Sequence, residues 1–193
     1  MKDPEDVAAY DAQAERAIGG PRPLNGPIEL REYSLAWPDL YAREAELIRG
    51  ALGERVVRLE HVGSTSVPGL AAKPVIDIVL EVPDTADEPE YVPDLEAAGY
   101  VLRIREPEWF EHRAFKRTEP SVNLHVFSPA CAETEQMLLF RNWLRQHESE
   151  RDLYLQAKRT LAARDWKYVQ QYADAKTDVV HEILARARAS RGG

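Results

Sequence analysis

Residues 60–79 read Glu-His-Val-Gly-Ser-Thr-Ser-Val-Pro-Gly-Leu-Ala-Ala-Lys-Pro-Val-Ile-Asp-Ile-Val. A short apolar strand runs into Gly63-Ser64-Thr65-Ser66. A Pro-Gly turn and Lys73 follow, and a second apolar run carries one carboxylate, Asp77. Small hydroxylated residues at a strand end, where backbone N–H groups face a ligand, suit a phosphate. Their hydroxyls add donors, and Lys73 adds positive charge. Asp77 lies thirteen residues after Ser64 on the neighbouring strand, where it would hold a divalent metal against those phosphates. The plainer alternative is a tight turn beside a structural ion pair. A mid-strand carboxylate among Val, Ile and Leu is costly, so it needs a partner, a metal or a cleft.

The flanking sequence sets this pair of strands in an α+β protein. Residues 1–27 are acidic, then Gly/Pro-rich, and read as a flexible leader. A short strand is expected over 28–33. Pro38 suits the first turn of a helix, whose apolar stripe is Tyr41, Ala45, Ile48 and Leu52 and whose stop is Gly53. Strands over 56–62 and 75–82 flank the loop. In the second, Ile76, Ile78, Leu80 and Val82 share one face, with Asp77, Val79 and Glu81 on the other. A short helix is expected over 94–98, then an antiparallel meander over 100–105, 110–117 and 122–127. Three helices complete the pattern, over 137–146, 150–163 and about 165–189. Leu138, Trp143, Leu144, Val169, Val179, Ile183 and Leu184 form their apolar faces. The expected organisation is a leader (1–27), an α/β core with a mixed sheet (28–130) and a C-terminal helical part packed on it (131–189).

Composition narrows the function classes. The 193-residue chain is 44% hydrophobic with a net charge of −8, which argues against broad binding to duplex nucleic acid. A single cysteine, Cys131, cannot form an internal disulfide or a multi-Cys zinc site. The first residues lack an apolar signal region, and no stretch approaches the roughly 18 apolar residues of a membrane span. A cytoplasmic protein is expected, with no membrane partner. The oligomeric state stays open.

Other residues qualify as site members. His125 shares a strand face with Asn123 and Phe127, and beside Asp77 it would make a two-residue metal or acid/base site. His61 precedes the loop, and His112 lies in a charged segment. Arg141 with Arg145, Tyr154 with Lys158, and Tyr172 with Lys176 stand at i,i+4 and share helix faces. Each pair reads singly as a solvated face. Turned together toward one cleft, Arg141, Lys158 and Lys176 would join Lys73 in clamping a triphosphate. Trp109-Phe110 offers rings that could stack on a base, but is expected to pack in the interior.

The string HVGSTSVPGLAAKPVIDI resembles the hallmark of the GrpB family of the nucleotidyltransferase superfamily. The segments Arg113-Ala-Phe-Lys, Asn123-Leu-His-Val-Phe and Phe140-Arg-Asn-Trp-Leu-Arg follow in the family's order, then Tyr154 with Lys158 and Tyr172 with Lys176. The resemblance implies a nucleotidyltransferase-like mixed sheet flanked by helices. It also implies transfer of a nucleoside monophosphate from an NTP to an unknown acceptor. Gly63, Ser64, Thr65, Ser66, Lys73, Arg141, Lys158, Tyr172 and Lys176 would hold the nucleotide. Asp77 and His125 would serve as Mg²⁺ ligands and catalytic groups. The superfamily pattern continues with a second acid two residues after the first, where this chain has Val79, and a third on a nearby strand, where it has His125. That departure implies an alternative: a non-catalytic domain that binds a nucleotide or phosphometabolite through a degenerate metal site.

Overall fold

The computed structural model describes residue 18 and residues 27–190, so most of the expected leader lies outside the described residues. Helix α1 (Ala36–Leu52) buries Trp37, Ala45, Ile48 and Leu52 along one stripe and ends where Gly53 turns to φ +58°. Five strands follow: β1 (Arg58–Val62), β2 (Ile76–Glu81), β3 (Val101–Glu106), β4 (His112–Arg117) and β5 (Val122–Phe127). Helix α2 (Val92–Ala97) lies between β2 and β3. After β5 come α3 (Ala132–Gln146), α4 (Glu148–Ala162), α5 (Val169–Asp174) and α6 (Thr177–Ala189).

The strands order as β1-β2-β5-β4-β3. Strands β2 and β5 pair in parallel, with Asp77 opposite Asn123, and every other pairing is antiparallel. The sheet is mixed, its strongest apolar strand sits inside, and the α+β class is as expected. Because side chains alternate along a strand, the register separates two faces. On one face Ile76, Ile78, Leu80, Phe115, Leu124 and Val126 pack against Ile48 and Leu52 of α1 and Leu95 of α2. Each such aliphatic side chain, buried completely, contributes roughly 1.5–3 kcal/mol. The other face carries Asp77, Val79, Asn123, His125, Phe127 and Lys116. Its β1 edge is covered by α3, where Val62, Val79 and Phe127 meet Met137 and Leu138. Val67 and Leu70 of the β1–β2 connection insert among Leu144, Tyr154 and Ile183, so the helices clamp the loop as well as the sheet.

Four expectations fail here for local reasons. Residues 28–33 form no strand but one isolated bridge, Arg31 with Ala72, because the segment finds a partner at a single position. The long helix over 165–189 is two helices. Tyr172 on α5 packs toward Ile28, Leu161 and Trp166, whereas Ile183 and Leu184 on α6 pack toward other helices, so one straight axis cannot serve both. Trp109 and Phe110 are 37% and 45% exposed at the β3–β4 turn, where Phe110 and Glu111 take positive φ. Among the expected core residues, Leu144, Ile183 and Leu184 are buried, while Leu138, Trp143 and Val179 pack only at cluster margins. The Val169 side chain lies outside what is described.

Candidate functional site

The site forms where the loop after β1 meets the centre of the sheet. Gly63 has φ +68° and ψ −174°, a conformation reserved for glycine, and opens a 3₁₀ turn over Ser64–Ser66. A Cβ on Gly63 would lie 2.8 Å from Asp77 Cβ and 2.9 Å from its Cγ, and closer still to Oδ2. The missing side chain therefore lets the loop backbone rest on the carboxylate.

The three hydroxyls of the loop divide. Thr65 Oγ1 donates to the Val75 carbonyl at 3.0 Å and meets His61 Nε2 at 3.0 Å. Ser66 Oγ donates to the Gly63 carbonyl at 2.6 Å. Both side chains are buried and committed to shaping the turn, which corrects their expected role as phosphate donors. Ser64 alone aims its hydroxyl out of the turn, where it shares a hydrogen bond with Tyr154.

Asp77 Oδ1 accepts a 2.7 Å hydrogen bond from Asn123 Nδ2 across the parallel pair. Burial raises the Asp77 carboxyl above the usual carboxylate range. Asn123 opposes that shift, as do the nearby charges of Lys176, Lys116 and Lys73. The lysines are perturbed in turn. Burial lowers Lys73, Lys176 repels it, and Asp77 partly compensates. Burial also lowers Lys176, against the attraction of Asp77 and Asp174. Lys158 is pushed down to about 7, by burial first and then by the charges of Lys176 and Arg159. Its Nζ donates to the Ala71 carbonyl at 2.5 Å and stands 5.0 Å from the Tyr154 ring centre. Lys176 Nζ stands 4.7 Å from the Tyr172 ring centre. The Tyr172 hydroxyl is buried without a hydrogen-bond partner.

Of the expected site residues, the fold gathers Gly63, Ser64, Lys73, Asp77, Lys158, Tyr172 and Lys176. Arg141 is drawn elsewhere: its Nη1 donates to Glu60 Oε2 and to the His61 carbonyl, both at 2.8 Å, because α3 packs beneath β1. Arg145 holds the loop from outside through the Ser66 carbonyl at 2.7 and 2.9 Å. His61 stacks on Tyr41, and burial and the two arginines push it down to about 4, so it belongs to the scaffold. His125 keeps the Asp77 face but lies opposite Val79, two positions along from Asn123, and its Nδ1 is 3.1 Å from His112 Nε2. Sequence reasoning left Asn123 and Lys116 outside the site and carried Tyr154 only as the helix-face companion of Lys158. Only the register of β5, unreadable before pairing is known, puts Asn123 on Asp77.

The donor set does not fit a resident pair of metal ions. Val79, in the second acid's position, is fully buried among Val62 and Phe127. Glu81, the next residue on that face, is buried and lies 3.5 Å from Arg58. Among the described residues no three His, Cys, Asp or Glu side chains gather where they could hold an ion.

A mixed-sheet α+β domain whose central carboxylate sits under a glycine loop and a lysine-bearing helical cover is the class of protein defined here. The chain belongs to the GrpB family, whose model, described as GrpB protein, matches residues 27–186. A UPF0157 protein of Halalkalibacterium halodurans is 56% identical over 176 residues, covering 91% of this chain and 90% of that one. A UPF0157 protein of Streptomyces coelicolor is 43% identical over 181 residues, covering 94% of each chain. The crystal structure of the conserved protein GrpB from Enterococcus faecalis superposes with a TM-score of 0.75 at 27% identity, over 86% of this chain and 100% of that one. Among the described residues no helix is long and apolar enough to cross a membrane.

Proposed function

We propose that the protein binds the phosphate chain of a nucleotide in the Asp77 cleft, using Lys73, Lys158 and Lys176 as its counter-charges. One observation carries this reading: Lys73 and Lys176 act on the Asp77 carboxylate, and Lys158 feels the charge of Lys176, in a chain of net charge −8. Among the described residues none of the three makes a salt bridge to a carboxylate. Lys176 depresses the other two, so the unliganded cluster repels itself. Bound phosphates would relieve that repulsion and favour the charged form of each lysine. Ser64 and the partnerless Tyr172 hydroxyl add neutral donors at its edge. Mg²⁺ fits only as an ion carried in on the ligand's phosphates, with Asp77 as its single protein carboxylate.

Transfer of a nucleoside monophosphate from an NTP is the more demanding version of the same reading. The Gly63-Ser64 and Asp77 positions favour it, and Val79 weighs against it. Binding without transfer therefore accounts best for the cleft. Calorimetry with ATP and with inorganic triphosphate, each with and without Mg²⁺, tests the reading. Binding that survives without Mg²⁺ and is lost in Lys73→Ala and Lys176→Ala is expected. Equal affinity in parent and variants would overturn it. Pyrophosphate release from an NTP, abolished in Asp77→Ala, would establish the transfer version instead.

A further inference from the structure

A chain of three side chains runs along the Asp77 face of the sheet and has no part in the phosphate reading. Glu106 Oε2 lies 2.8 Å from His112 Nδ1, and His112 Nε2 lies 3.1 Å from His125 Nδ1. Glu106 ends β3, His112 opens β4 and His125 sits in β5, so the chain crosses three strands. The rings are fixed in place. His112 stacks on His125 at 5.3 Å and on Phe127 at 4.8 Å, and the Trp109 edge closes on it at 5.1 Å.

These contacts determine which nitrogens carry protons. An ionised carboxylate only accepts, so His112 Nδ1 is the N–H that faces Glu106. When His112 carries a single proton, that proton is the one on Nδ1, and its Nε2 is left as a lone pair. His125 Nδ1 must then donate to it, and His125 Nε2 is left as a lone pair. Among the described residues nothing donates to that nitrogen. His125 is partly exposed and stands on the same sheet face as Asp77 and Asn123.

We propose that His125 Nε2 is a fixed hydrogen-bond acceptor for a hydroxyl of the bound phosphate compound, with His112 and Glu106 as the positioning residues that fix its tautomer. This rests on the phosphate-binding reading and names the ligand class more closely: a phosphorylated sugar or nucleotide rather than a bare polyphosphate. Burial holds the His125 ring well below the ordinary imidazole range, so it is neutral at the pH of the test. A neutral ring of defined tautomer accepts a hydrogen bond from a hydroxyl and adds no charge to a site already rich in lysines.

The experiment uses the whole chain at pH 8, above the ordinary imidazole range. Nitrogen NMR of histidine-labelled protein reads the tautomers, and calorimetry reads the affinities for ATP and for inorganic triphosphate. The parent should show His125 protonated at Nδ1 only. His112→Phe keeps a ring in the stack but removes the acceptor, and should leave His125 as a mixture of tautomers. ATP affinity should fall about three- to tenfold in His112→Phe and in His125→Phe, the loss of one neutral hydrogen bond. Triphosphate affinity should not change in either. His125 protonated at Nε2 in the parent would overturn the proposal, as would equal losses for ATP and triphosphate. A shift of the His125 signals by Mn²⁺ alone would also overturn it, since a metal would then be the occupant. Failure of triphosphate to bind the parent would overturn the phosphate reading itself. Triphosphate that binds while ATP is indifferent to His112→Phe would overturn the acceptor role alone.

Discussion

Replacing Gly63 with alanine tests whether the loop rests on Asp77 as described. Two costs follow from the geometry. The backbone at φ +68°, ψ −174° lies in a region that only glycine occupies freely, which costs an L-residue about 1–3 kcal/mol. The new methyl would also stand 2.8 Å from Asp77 Cβ, 2.9 Å from Cγ and nearer to Oδ2, an overpacking that costs about 1–3 kcal/mol more. The sum is roughly 2–6 kcal/mol, a large share of a typical domain's stability of about 5–15 kcal/mol. With a urea slope of about 2 kcal/mol/M, the denaturation midpoint should fall by about 1–3 M. Asp77→Ala in the Gly63→Ala background removes the oxygen and Cγ but leaves Cβ. It should recover part of the loss and leave the backbone cost in place, with a coupling of about 0.5–3 kcal/mol between the two changes. A Gly63→Ala protein within about 0.5 kcal/mol of the parent, or strictly additive double changes, would refute the close approach.

Four further outcomes follow from the cluster. Burial pushes Lys158 down to about 7 in the folded protein, against an ordinary lysine value of about 10.4, so between these values the unfolded chain binds more protons and stability rises with pH. Below about 7 both states are protonated and the destabilisation is complete; pH-dependent melting of the parent should show the rise, and Lys158→Met should flatten that part of it. Lys158→Ala should also destabilise the empty protein, since Lys158 is buried and bonded to the Ala71 carbonyl. Lys176→Ala should lower triphosphate affinity about tenfold to hundredfold by calorimetry, the loss of one charge-assisted hydrogen bond. Tyr172→Phe removes a buried hydroxyl without a partner, so thermal melting of the free protein should rise or hold, and a lower triphosphate affinity would mark that hydroxyl as a ligand donor.

What was legible in the sequence follows the range of the forces involved. Strand β2 was readable because the middle of its apolar run is broken only at Asp77, and a charge so placed has few explanations. Strand β5 was readable to the residue, since alternation over 122–127 needs no knowledge of its partner. The break between α5 and α6 was not, because each half shows a sound helical stripe and only the different packing partners force a change of axis. Arg141 illustrates the same limit. Its spacing from Arg145 indicates a shared face, but whether that face meets phosphate or Glu60 depends on how α3 crosses β1. Asp77 was identified from its own strand, and its hydrogen-bond partner Asn123 waited on a pairing 46 residues away.

That distant pairing bears on how the chain comes to be assembled. The β1–β2 pair and the β3–β4–β5 meander are each local and antiparallel, so each can close soon after its residues are made. The β2–β5 ladder is the seam between them, and such non-local pairing carries the higher loop-closure cost and forms slowly. The carboxylate and its amide partner face each other across that seam, and Tyr154, Lys158 and Lys176 arrive from sequence still further on. A growing polypeptide that has not yet reached α6 thus has no cleft, and a ligand present during synthesis has nothing to hold. Once the seam closes, a molecule bound in the cleft would draw the chain toward its finished form by mass action, and so would select completed molecules and leave partial ones untouched.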